Sequence, residues 1–522
     1  MARPETRRAR QGSGFGPSLS TRLAELPLIV LLAGVAAAAM LIPGVYGVIV
    51  EQYDDARVFF TWSGLFLTLV TLVAVATAAR RPRNRARAHL LSLVAAFAVL
   101  PLMLAVPFQI AVQNTTLVNA WFEMLSALTT TGATLFAPDR LSETLHLWRA
   151  LVGWLGGLLI WVAAIAILAP MNLGGYEVLS TAPPGAPERF DRPGLARESR
   201  DRVLRHARRL IPIYAGLTLL LWLGLVILGE TPFVAACHAM AVMATSGISP
   251  VGGLVNAQAG FLGELLIVLF FVFALTRVAF SSEATRDRLQ RLAQDPELGI
   301  ALSLLTLIPC LLFLRHWVGA FEVDMVSDLN SALRALWGSA FSVVSFLSTT
   351  GFVSADWETA RAWSGLQTPG LVLLGLALIG GGVATTAGGV KLLRVFALYK
   401  HGAREMDRLV HPSSVGGAGA VARRLRREGA YIAWIFFMLF ALSLAALSCL
   451  LAMTGVAFEE AIVLVISSIS NTGPAAGVVL GEPVDPADLD TAAKVILAAA
   501  MVLGRLETLA IIALLNREFW RR

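Results

Sequence analysis

Four short stretches of the chain bring small hydroxyl residues up to one glycine. They are Thr129-Thr130-Thr131-Gly132, Ala244-Thr245-Ser246-Gly247, Ser348-Thr349-Thr350-Gly351 and Ser470-Asn471-Thr472-Gly473. None holds an acid–base pair or an activated nucleophile. What they offer is oxygen. A cation leaving water needs its hydration shell replaced, and backbone carbonyls do this without a counter-charge that would trap the ion. Glycine permits the turn that aims them, and Thr and Ser add hydroxyls with little bulk. The element recurs at intervals of roughly 100–120 residues, as expected of a chain that builds a ring from one repeated unit. The candidate ion-binding residues are therefore Thr130, Thr131, Gly132, Thr245, Ser246, Gly247, Thr349, Thr350, Gly351, Asn471, Thr472 and Gly473.

Such turns need a membrane and short helices to hold them. The 522 residues are 57% hydrophobic and only 15% charged, well below the roughly 25% charge of soluble domains. The apolar residues come in blocks of spanning length. The first, near Leu26, follows an arginine-rich leader, but its length predicts a retained helix rather than a cleaved signal. The net charge of +7 sits in loops between blocks, which is the positive-inside pattern and argues against nucleic acid. Cys237, Cys310 and Cys449 lie far apart in apolar segments, so they predict packing rather than disulfides or metal.

Runs at 27–50 and 58–79 predict an N-terminal helix pair. A three-part unit then repeats: a spanning run, a short apolar run ending at a Thr/Gly turn, and a second spanning run. The units are 89–112, 116–130, 146–172; then 210–229, 233–245, 259–280; then 298–318, 330–349, 367–399; then 431–455, 458–471, 491–515. The short runs predict re-entrant half-helices whose negative dipole ends face an axis. The reading is an all-α polytopic membrane protein of ten crossings and four half-helices. Four pseudo-repeats of helix, re-entrant pore helix and helix surround a central pore. The boundaries are a segment 1–26, a helix pair 27–87, and repeats 88–185, 186–290, 291–405 and 406–522. Basic loops place both termini in the cytoplasm.

The crossing 367–399 is interrupted by Gly380-Gly381-Gly382 and Gly388-Gly389. Each glycine weakens a helix by up to about 1 kcal/mol, so a broken helix lining the path is predicted. Close packing through small residues is the plainer alternative. Arg505 and Glu507 lie within the last crossing, where a mid-bilayer Arg costs about 3 kcal/mol unless water or a partner meets it. Lys391 and Arg394 close the broken crossing, and Arg394 is expected to snorkel to the inner surface. Glu123 and His238 on half-helices read as hydrogen-bonded supports. No His-Glu-x-x-His or Ser/His/Asp grouping stands out, so an enzyme is not expected.

These motifs resemble the TrkH family, within the Trk/Ktr/HKT superfamily of potassium uptake proteins. The likeness also rests on Trp154-Leu155-Gly156-Gly157, Ser354-Ala355-Asp356, Ala387-Gly388-Gly389-Val390-Lys391, Arg408-Leu409-Val410-His411-Pro412, Asn471-Thr472-Gly473-Pro474 and Leu503-Gly504-Arg505-Leu506-Glu507. It implies K+ as the transported ion at the filter residues. Relatives that pass sodium tend to carry serine in place of the first filter glycine, whereas this chain has Gly132. The second turn, Thr-Ser-Gly, and the fourth, Asn-Thr-Gly, depart from the family pattern. The resemblance also implies that Gly380, Gly381, Gly382, Gly388, Gly389, Lys391 and Arg505 form a gate below the filter. It further implies the bacterial cytoplasmic (inner) membrane, a homodimer, and a cytosolic nucleotide-binding regulatory subunit of the TrkA type. The basic inner loops could instead serve orientation and anionic lipid. Sodium or unselective cation passage, an organic-solute transporter and an inactive structural subunit remain as rivals.

Overall fold

The computed structural model describes residues 26–77, 85–171, 173, 195–276, 292, 295–319, 329–366, 368–411, 429–480 and 489–506. The basic loops at 80–84, 174–194, 277–291 and 412–428, the acidic loop at 481–488, Glu507 and both termini lie outside the described residues. Among the described residues all regular structure is helical.

The N-terminal run divides into α1 (Leu28–Ala39) and α2 (Leu41–Ile49). Pro43 has no N–H to donate to the Ala39 carbonyl, so the helical ladder breaks there. Helix α3 (Tyr53–Thr77) completes the pair. Polar contacts fasten the acidic link to the first repeat: Gln52 Oε1 accepts from Thr144 Oγ1 at 2.7 Å, and Ser142 Oγ donates to Asp55 Oδ2.

Repeat 1 comprises α4 (Arg85–Val112), the short α5 (Leu117–Leu128) and α6 (Glu143–Ala163). Thr116 caps α5 by accepting from Asn119 N, satisfying one orphan donor. Repeat 2 comprises α7 (Leu195–Ile227), α8 (Pro232–Ala244) and α9 (Gly260–Leu275). Repeat 3 comprises α10 (Pro296–Gly319), α11 (Leu329–Leu347), the connecting α12 (Trp357–Ser364), α13 (Gly370–Ile379) and α14 (Leu392–Val410). Repeat 4 comprises α15 (Ala430–Ala452), α16 (Phe458–Ile469), α17 (Ala475–Leu480) and α18 (Thr491–Leu506).

Seven described helices are long and apolar enough to cross a membrane, against ten expected crossings. The shortfall has three local sources. Helix α9 is shorter than a span, the broken crossing is split into α13 and α14, and α18 is described only to Leu506.

The repeats pack as a ring. The second crossing of each lies against the short helix of the next: α6 on α8, α9 on α11, α13 on α16, and α18 on α5. Two glycines bring a second crossing equally close to the short helix of its own repeat. A Cβ at Gly156 on α6 would strike the carbonyl of Leu128, and one at Gly504 on α18 would strike that of Ile469. Leu128 and Ile469 end the first and fourth short helices, so these two glycines do the same work in two repeats.

Gly156→Ala and Gly504→Ala should therefore each cost about 1–3 kcal/mol through overpacking, read as a lower melting midpoint in detergent. Gly216→Ala is the control. Nothing lies within 4 Å of a Cβ there, so the same melt should show no loss.

Candidate functional site

The last turn of each short helix ends in one hydrogen-bond pattern. Thr130, Thr245, Thr349 and Asn471 occupy the left-handed region at φ of 53°, 52°, 59° and 55°. Their N–H groups reach back to Ala127, Val242, Phe346 and Ser468. The next N–H groups, of Thr131, Ser246, Thr350 and Thr472, reach Ser126, Ala241, Ser345 and Ser467 at 2.8–2.9 Å. This is the Schellman closure of a helix C-terminus, with Thr or Asn where glycine is usual. A β-branched residue in that region carries strain of about 1–3 kcal/mol, which persists only where surroundings over-determine it.

The glycines of the four turns come two residues later. Gly132, Gly247 and Gly351 also have positive φ, whereas Gly473 does not. All four are needed for close approach. A Cβ on Gly132 would meet Ser246 O, one on Gly247 would meet Thr350 O, one on Gly351 would lie 3.0 Å from Thr472 Cγ2, and one on Gly473 would meet Ala133 N. Gly473 N also donates to Thr131 O at 2.6 Å. The four turns thus touch in chain order and close on themselves. One cavity of about 370 Å³ is lined by all four glycines together with Phe352, Pro474 and Arg149.

The hydroxyls are largely engaged sideways. Thr129 and Thr131 share a hydrogen bond at 2.8 Å, and Ser348 and Thr350 share one at 2.9 Å. Asn471 Nδ2 donates to Thr131 Oγ1 and to Met501 O, tying the fourth turn to the first. Thr130 Oγ1, Ser246 Oγ and Asn471 Oδ1 are buried without a hydrogen-bond partner among the described residues. Glu123 Oε1 pairs with Arg149 Nε at 2.7 Å, and His238 Nε2 bonds Ser249 Oγ at 2.9 Å.

Below the ring, residues 380–391 form a buried irregular loop between α13 and α14. Gly380, Ala384, Gly389 and Lys391 all have positive φ. Gly381 and Gly382 lie against the carbonyls of Ala274 and Leu275, and Gly388 lies against that of Ser470. Groups from several elements pin the loop. Gly388 N donates to Thr349 Oγ1 at 2.7 Å, joining it to the third turn. Arg505 donates to Thr129 O at 2.7 Å and to Thr386 O at 2.6 Å, joining it to the first turn. Val383 N donates to Glu297 Oε1 at 2.9 Å, and Gly382 N to Ala274 O at 3.0 Å. Lys391 Nζ donates to Ala387 O within the loop itself.

The twelve candidate ion-binding residues lie in the four turns, and Gly380, Gly381, Gly382, Gly388, Gly389 and Lys391 lie in the loop, whereas Arg505 stands on α18 and reaches both by hydrogen bonds. Arg394 does not behave as expected. Instead of snorkelling it is fully buried, donates to Val390 O, and stacks its guanidinium 3.6 Å from the Phe436 ring centroid. A cation–π partner replaces water there. The sequence reading also missed Glu297, whose partner stands 86 positions away. A carboxylate bordering a spanning run was the available signal.

A ring of four helix C-termini inside an apolar helical shell is the build of a membrane transport protein. A family model described as "TrkH: Cation transport protein" matches residues 297–519. The Trk system potassium uptake protein TrkH of Salmonella typhimurium is 30% identical, over 96% of this chain and 99% of that protein. Its Escherichia coli K12 counterpart is 29% identical with the same coverage. The crystal structure of the potassium transporter TrkH from Vibrio parahaemolyticus aligns with a TM-score of 0.78 at 26% identity, covering 96% of this chain and 99% of that one. The chain belongs to the TrkH family.

Two of the three left-handed threonines make a sharp comparison. Thr349→Val keeps shape but orphans the buried Gly388 N–H, at a cost of about 1–3 kcal/mol. Thr130→Val removes an oxygen that bonds nothing described and should be near neutral. Thermal melts, with amide exchange at Gly388 accelerated only in Thr349→Val, check the pair.

Proposed function

We propose that this chain takes up potassium across the bacterial cytoplasmic membrane. The observation that carries the reading is the convergence of four helix C-termini on one glycine-lined cavity. Each helix end contributes about half a negative charge, and the turns add carbonyl and hydroxyl oxygens that can stand in for water. The filter residues are Thr130, Thr131 and Gly132, Thr245, Ser246 and Gly247, Thr349, Thr350 and Gly351, and Asn471, Thr472 and Gly473. K+ is cargo here, and no covalent chemistry is involved. Glycine in all four turns, and the potassium uptake named for the relatives, support potassium over sodium.

The loop 380–391 is the gate. It hangs from Thr349 above, from Arg505 at its side and from Glu297 beneath, and it passes ions when those bonds exchange. Arg505 also sets a positive charge against resting cations. The four repeats and the helix pair divide at the boundaries given above, with both termini in the cytoplasm. Two copies pair, and a nucleotide-binding subunit of the TrkA type acts on the cytoplasmic face. The Trk system named for the relatives supports such a partner.

Purified protein in liposomes should accumulate potassium tracer and leave sodium behind, and Gly351→Asp should be dead. It should also rescue growth of a potassium-uptake-deficient cell at low potassium. Equal passage of sodium would replace potassium as the substrate, and saturable solute binding without ion flux would replace the pore. Arg505→Ala should raise potassium leak several-fold in liposomes lacking any partner, since the loop's link to the first turn goes with it. An unchanged leak would reject the loop as the gate.

A further inference from the structure

The segment after each filter glycine has left its helix and needs an anchor. In repeats 1 and 2 the anchor stands on the short helix itself, nine residues before the glycine. Glu123 Oε2 accepts from Leu135 N at 2.9 Å, and His238 meets Ser249 as described. Repeat 3 has Ser342 at that position. Its hydroxyl is buried with no hydrogen-bond partner among the described residues.

The third turn is anchored from elsewhere. Glu264, on α9 of the preceding repeat, is buried at 5% exposure. Its Oε1 accepts from Ala355 N at 2.7 Å. Its Oε2 accepts from Ser354 Oγ and from Trp337 Nε1, each at 2.7 Å. Trp337 lies on α11, before the turn, while Ser354 and Ala355 follow it. One carboxylate therefore ties both arms of the third turn, as Glu123 ties those of the first. Three donors and no acceptor suit an ionised carboxylate, which can only accept. Glu264 does not line the cavity that holds the four glycines, so it acts on the ion through the backbone it holds.

We infer that Glu264 is a positioning residue that sets ion selectivity at the third turn, an inference that rests on the proposed potassium function. A binding constellation discriminates only when a supporting shell fixes it to within about 0.5 Å. An amide cannot replace this carboxylate, because one of its ends would point N–H groups at N–H donors.

The test is the potassium-to-sodium flux ratio in liposomes for four variants that elute like the wild type in size-exclusion chromatography. Glu264→Gln should lower the ratio roughly tenfold, the worth of a hydrogen bond to a charged group. Ser354→Ala and Trp337→Phe keep the charge and remove one donor each, and should lower the ratio less. Glu230→Gln is the control. That neighbouring buried carboxylate accepts from Gln258 N and Ala259 N, away from the turns, and its loss should leave the ratio unchanged.

A selective wild type with an unchanged ratio in Glu264→Gln overturns the inference alone, as does an equal shift in Glu230→Gln. Should Glu264→Gln fail to fold, an unchanged ratio in both Ser354→Ala and Trp337→Phe overturns it. A wild type that does not distinguish the two ions overturns the proposed function and this inference with it.

Discussion

The structure depends on bringing four helix C-termini together in an apolar surrounding. Each end carries unsatisfied carbonyls and a share of negative charge, so the four repel one another. Something must hold them. Three devices answer that need. The Schellman closure removes two carbonyls per helix from contention. The glycines let neighbouring turns come within contact distance, where any Cβ would collide. Arg505 sets a guanidinium against the Thr129 carbonyl at the end of the first helix, so one of the four ends has a fixed cation beside it.

The strain fits the same picture. Four non-glycine residues sit left-handed at equivalent places, and three of them are threonine. Glycine would relax each backbone but leave no side chain. The side chains at two of these positions link parts of the molecule: Thr349 receives Gly388 from the loop below, and Asn471 reaches Thr131 in the adjoining turn. The backbone cost at those two sites is set against contacts that glycine could not make.

Repetition made most of the architecture legible. One Thr/Gly stretch says little, but four with short apolar runs before them predicted the ring, the short helices and the helical class. Glycine density located the broken crossing, because local propensity suffices to break a helix. Contacts between residues distant in the chain stayed hidden. Glu264 meets Ala355 at a separation of 91 positions and Glu297 meets Val383 at 86. The special backbone conformation was expected at the turn glycines, and Gly132, Gly247 and Gly351 have it; the second left-handed residue two positions earlier, a threonine or asparagine, stayed hidden because propensity disfavours it there. Arg394 was sent toward water because nothing local announces that Phe436 will lie over it.

The third repeat is the irregular one, and its irregularities have a common logic. Its second crossing is broken into the loop, so α13 and α14 are separate bodies rather than one continuous strut. Its turn is bonded to that loop through Thr349 and Gly388. Any displacement of the loop pulls on this turn first. An anchor carried within the third repeat would share that load. Glu264 belongs to the second repeat, on α9, which packs against α11. The same helix also meets the loop near its end, where Ala274 O accepts from Gly382 N, so one element of the second repeat touches both the third turn and the loop. The position of the third turn therefore depends on two bonds from outside its own helix, one to Glu264 of the second repeat and one to Gly388 of the loop.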